Sequence, residues 1–137
     1  MSLQLAVRGL RLATEAITTD DPDLAAIRAG EAVMWAEVAA ELTPPGAHHR
    51  LSPALSMVRN AVLHGAAVCV GVRDGYVWPA VWPAKWADVV WAPTEVIVDA
   101  LDRTPGKSKV VDYAQLLAGH SVTDALTDVL AHFRKLN

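Results

Sequence analysis

The stretch Ser52-Pro53-Ala54-Leu55-Ser56-Met57-Val58-Arg59-Asn60-Ala61-Val62-Leu63-His64-Gly65-Ala66-Ala67 decides how this chain is read. Ser52-Pro53 is a helix-start signal: a side chain able to cap, then a residue whose φ is preset for the first turn. Leu55, Val58 and Val62 recur at helical spacing, so the stretch predicts a helix over about 53–67 with those three on its buried side. At about 100° per residue, Asn60 and His64 project about 40° apart, with Arg59 at the edge of that face, about 140° from His64. One helix, apolar behind, thus presents a cation, an amide and an imidazole in front.

The same signals recur on both sides. Leu3, Val7, Leu10 and Ile17, with Ala13 between, predict an amphipathic helix over about 2–17. Asp20 or Asp21 caps a second helix that starts at Pro22 and runs to about Leu42, before Pro44-Pro45-Gly46. Its expected core stripe is Leu24, Ile27, Met34, Val38 and Leu42, widened by Trp35. Downstream, Arg73-Asp74-Gly75 lies between two β-prone runs and predicts a small hairpin within 68–82, kept short or at an edge by Pro79 and Pro83. A short helix from Pro83 through Trp91 is expected next, then one over 95–102 and one over 110–118 closed by Gly119. Ser121 with Asp124 resembles a capping box for a last helix carrying Val122, Leu126, Val129, Leu130 and Phe133. The whole reads as an all-α or mainly α helical bundle, a single domain over 1–137.

Composition bounds the function. The chain is 137 residues long and 53% hydrophobic, enough to bury a core without staples. Its one cysteine, Cys69, cannot form an internal disulfide, which fits a reducing, cytoplasmic setting. No stretch reaches the roughly 20 apolar residues of a membrane span, and the first helix is too interrupted by polar residues for a signal peptide, so no membrane partner is expected. The formal net charge of −3 argues against a broadly basic nucleic-acid binder and leaves room for a local basic site.

Arg59, Asn60 and His64 form a sensible set for cutting RNA. The reaction needs a base for the 2′-hydroxyl proton or an acid for the leaving oxygen, and histidine is the side chain suited to either near neutral pH. It needs fixed positive charge where the phosphorane gathers negative charge, a task for arginine. Asparagine can orient either partner. No metal or other cofactor is required. The run Val58-Arg59-Asn60-Ala61-Val62-Leu63-His64-Gly65 resembles the Arg-x(4–6)-His signature of the HEPN superfamily, whose members commonly carry a polar residue after the arginine, as Asn60 is here. The resemblance implies up-and-down helices with the motif late in about the third. It further implies a homodimer that joins two motifs into one cleft, and a metal-independent endoribonuclease of toxin–antitoxin, phage-defence or RNA-processing type. RNA is then the substrate, an antitoxin or other protein a partner, Arg59 and His64 the catalytic pair and Asn60 their support. Some HEPN domains are catalytically inactive, so the alternative is a helical binding or dimerisation module. The resemblance covers about a dozen residues and the order of the helices before them.

Other candidates are weaker. His48, His49 and Arg50 form a polar loop that could contact substrate; as metal ligands with His64 they lack supporting spacing. Trp78, Trp82, Trp86 and Trp91 suit core packing or an interface better than base stacking. Cys69 reads as a small buried hydrophobe. Glu31, Glu37 and Glu41 most simply solvate the second helix, although Glu37 and Glu41, one turn apart, could face a basic cleft.

Overall fold

The computed structural model describes residues 1–17, 21–73, 76–77 and 88–136. Among them are six helices, α1 Leu3–Glu15, α2 Pro22–Glu41, α3 Ser52–Leu63, α4 Thr94–Asp99, α5 Lys107–Leu116 and α6 Val122–Leu136. Three strands, β1 Cys69–Arg73, β2 Tyr76–Val77 and β3 Asp88–Trp91, form one antiparallel sheet in the order β2-β1-β3. The architecture is mainly α-helical, as the periodicity predicts. Asp74, Gly75, Trp78, Trp82 and Trp86 lie outside the described residues.

Local chemistry sets the helix starts. Ser2 Oγ accepts from the Leu5 N–H and Asp21 Oδ1 from the Leu24 N–H, each at 3.1 Å, so both side chains satisfy a first-turn donor. Ser121 Oγ accepts from the Asp124 N–H at 3.3 Å at the head of α6. The expected α6 stripe of Val122, Leu126, Val129, Leu130 and Phe133 is buried.

α2 buries a different face from the one its large residues suggest. Ala25, Ala29, Gly30, Ala32, Val33, Ala36 and Ala39 are the buried positions, whereas Ile27 is 55% exposed and Leu42 is also exposed. α2 packs against α1, α3, α6 and β1, and small side chains let so many neighbours approach one helix. Gly9 on α1 takes this furthest, since the Trp35 ring occupies the place a β-carbon would fill. Between α2 and α3, Val62 lies against Gly30 and Arg59 near Glu41, so the two helices run antiparallel.

The hairpin signal is matched by β1 and β2, which pair with Arg73 opposite Tyr76. The described part of the helix expected through Trp91 is a strand instead: Asp88–Trp91 pairs with β1, Cys69 opposite Trp91 and Val70 opposite Val90, while residues 83–87 lie outside the described residues. β-branched Val89 and Val90 favour it, and its backbone needs are met across the chain. The Trp91 N–H donates to His120 O, and Trp91 O accepts from the Gly119 N–H, both at 3.0 Å. Trp91 is fully buried, and the Tyr113 hydroxyl donates to Ala92 O at 2.5 Å beside it. Core residues from all six helices and from β1 and β3 form one cluster. Each fully buried large side chain contributes roughly 2 kcal/mol to it.

Candidate functional site

α3 stops earlier than its sequence suggests, and the stop places the motif histidine. Gly65 adopts φ +78°, a conformation that favours glycine. Its N–H donates to Val62 O and the Ala66 N–H donates to Ala61 O, both at 3.0 Å, which is the Schellman closure of a helix. His64 is therefore the C-cap, its ring leaving the helix end toward the turn between α4 and α5.

There His64 Nε2 lies 3.3 Å from Asp102 Oδ2, with the two side chains 38% and 76% exposed. His64 and Asn60, one turn earlier, line a cavity of about 310 Å3. Asp102, Arg103, Lys109 and the apolar Met57 line the same cavity. An imidazole, an amide and two cations thus surround a space open to solvent.

Arg59 does not line that cavity. Its Nη2 donates to Asn60 Oδ1 at 3.3 Å, and its Nη1 lies 3.9 Å from Glu41 Oε1. Its Nε is buried and has no hydrogen-bond partner among the described residues. Glu37, one turn before Glu41, is half-buried, and its pKa is raised. Burial is the main cause and the neighbouring Glu41 adds to it, while Arg59 and Lys109 oppose them. So Glu37 does not simply solvate α2; with Glu41 it faces the basic pair Arg59 and Lys109. Lys109 also lines a neighbouring cavity of about 500 Å3, together with Glu37, Glu41 and His48.

The polar loop divides. His48 is exposed on that second cavity. His49 is buried: its Nδ1 accepts from the Leu51 N–H at 3.0 Å, so Nε2 carries the proton and faces Asp128 Oδ2 at 3.3 Å. Arg50 is exposed and reaches the same carboxylate at 3.4 Å. The His132 ring stands edge-on to His49, centroids 5.1 Å apart, and its Nε2 donates to Ala47 O at 2.7 Å. His49 therefore clamps the loop to α6, and with Arg50 it also lines the cavity that His48 faces. Burial pushes its pKa down, against the pull of Asp128.

Sequence reasoning missed Asp102, Arg103 and Lys109, because only the packing of α5 on α3 brings them to His64. The sole local sign was the turn at Thr104-Pro105-Gly106-Lys107. No group of three or more His, Cys, Asp or Glu among the described residues is placed to hold a metal ion, and no helix among them is long and apolar enough to cross a membrane. A third cavity, an apolar groove of about 660 Å3 between α2 and α3, is lined by Ile27, Gly30, Met34, Val62 and Ala66. No family model, no curated protein and no solved structure matches the chain.

Proposed function

We propose that the chain is a HEPN-like, metal-independent endoribonuclease acting as a homodimer, with His64 as the proton-transferring residue. The observation that carries this reading is His64 itself. It is half-exposed and lines a cavity, backed by Asp102, with Asn60 one turn away and Lys109 and Arg103 lining the same space. His64 takes the 2′-hydroxyl proton, the 2′-oxygen attacks phosphorus, and the bond to the 5′-oxygen breaks. The products are a 2′,3′-cyclic phosphate and a 5′-hydroxyl, the leaving oxygen gaining the proton. Asn60 orients the reacting groups; the resemblance gives Arg59 the charge on the phosphate, while its position here, on Asn60 and Glu41, supports Asn60 instead. Leu63, 65% exposed beside His64, gives a second subunit an apolar foothold next to the site. A toxin, defence or RNA-processing role, with an antitoxin or other protein as partner, follows from the same resemblance.

One observation favours a second reading, a catalytically inactive binding or dimerisation module. Arg59 is already engaged by Asn60 and Glu41, as a structural arginine would be.

Matched RNA and DNA strands, incubated with the protein in excess chelator, separate the two. Cleavage of RNA alone, leaving cyclic phosphate ends, is the expected result, because the DNA lacks the nucleophile. Intact RNA across several sequences would leave the binding module.

A further inference from the structure

We infer that the cations holding a phosphate in the His64 cavity are Lys109 and Arg103, and that Arg59 is a positioning residue outside it. The inference deepens the ribonuclease reading and rests on it for the substrate class, a phosphodiester.

The geometry of Arg59 is the first ground. One terminal nitrogen donates to Asn60, the other faces Glu41, and Nε is walled in. To reach a phosphate beside His64 the guanidinium would have to leave these carboxylates. That would remove one of the two cations facing the half-buried Glu37 and the exposed Glu41, like charges one turn apart. By holding Asn60 Oδ1, Arg59 instead fixes the amide that lines the cavity.

Lys109 and Arg103 are the second ground. Both are exposed, both line the cavity with His64 and Asn60, and neither takes part in a salt bridge among the described residues. A compact ammonium on a flexible stem suits phosphate as a point charge. Asp102 is the one carboxylate on the wall, and it is turned to His64. The cavity, about 310 Å3, is at the small end of ligand sites, which fits one nucleotide's phosphate and sugar rather than a long strand.

NMR of the His64 imidazole tests this directly, with inorganic phosphate and uridine 3′-monophosphate as probes and uridine as the phosphate-free control. Both phosphates shift the His64 resonances and uridine does not. Lys109→Gln weakens binding about tenfold or more, the loss expected for a charged hydrogen bond, while Lys109→Arg stays within about threefold. Arg103→Gln weakens it in the same direction. Arg59→Lys, which keeps the charge near Glu41, leaves phosphate binding within about threefold even if the fold melts earlier. No shift of His64 with phosphate, or equal weakening by Arg59→Lys and Lys109→Gln, would overturn the inference. Lys109-dependent phosphate binding without any RNA cleavage supports it and removes the ribonuclease reading.

Discussion

His64 Nε2 stands 3.3 Å from Asp102 Oδ2, so the helix-capping imidazole is backed by a carboxylate from the turn after α4. Asp102 is 76% exposed, and water screens the pair heavily. An exposed pair of this kind is worth about 0.2–1 kcal/mol. Asp102→Asn is therefore expected to lower the rate of RNA cleavage by no more than about fivefold. The melting temperature should hardly change. A hundredfold loss in a stopped time course would show that Asp102 takes a direct part in the chemistry.

Acid should loosen the loop over 43–51. His49 Nδ1 accepts the Leu51 N–H, and protonation would place two donors face to face. Burial already holds the His49 pKa below its ordinary 6.5, so the unfolded chain binds this proton more readily than the native one. The contribution of His49 is complete above about pH 6.5 and is lost as pH falls toward the native pKa. Glu37 has the opposite sign: with its pKa raised above 4.5, its contribution is complete below that value and fades as pH rises. From pH 8 to 5, wild-type urea midpoints should lose more than those of His49→Asn, which removes the titrating ring and keeps Glu37. An equal loss in the variant would contradict the clamp.

Two glycines on buried helix faces should behave differently. A β-carbon at Gly9 would sit 2.4 Å from Trp35 Cδ2, a distance that forces the indole to move. Alanine gains about 1 kcal/mol of helix propensity over glycine, but overpacking costs about 1–3 kcal/mol, so Gly9→Ala should destabilise. At Gly30 the nearest atom is Val62 Cγ1 at 3.3 Å, a contact that a small shift relieves. Gly30→Ala should be neutral or mildly stabilising by denaturant unfolding. The reverse ranking would mean that α1 and α2 pack otherwise.

Cys69 should be inert in the native protein. It is 2% exposed, and burial pushes its thiol up to about 12. At pH 8 only about one molecule in ten thousand carries the thiolate. An aromatic disulfide reagent should react with it at the rate of unfolding, and immediate reaction in buffer would contradict the burial.

The helices were legible because their signals are local. Ser2, Asp21 and Ser121 each bond a backbone N–H three residues on, a relation visible in any short window. The last stretch of α6 was legible because its large apolar residues are also its buried ones. α2 was not, since its burial falls on alanines chosen for close approach to several neighbours, and alanine gives little periodic signal. β3 was misread for a related reason: Trp91 is held by Cys69, Gly119 and His120, partners far away in sequence. The candidate site was half visible. Asn60 and His64 share a face by helix geometry alone, whereas Lys109 and Asp102 reach it only once α5 packs on α3. The separation of Arg59 from His64 was also visible as the angle of about 140° between them on the helix, and Glu41 of α2 holds Arg59 on its own side.

The most direct test of the account is the rate of RNA cleavage in excess chelator by the wild-type protein and by His64→Ala. Light scattering and thermal melting confirm that the two are equally assembled and folded. Removing a general acid or base typically costs about 10²–10⁴-fold, and a loss of that size is the predicted result. Equal cleavage by both proteins, or none by the wild type on any RNA offered, would contradict His64 as the proton-transferring residue.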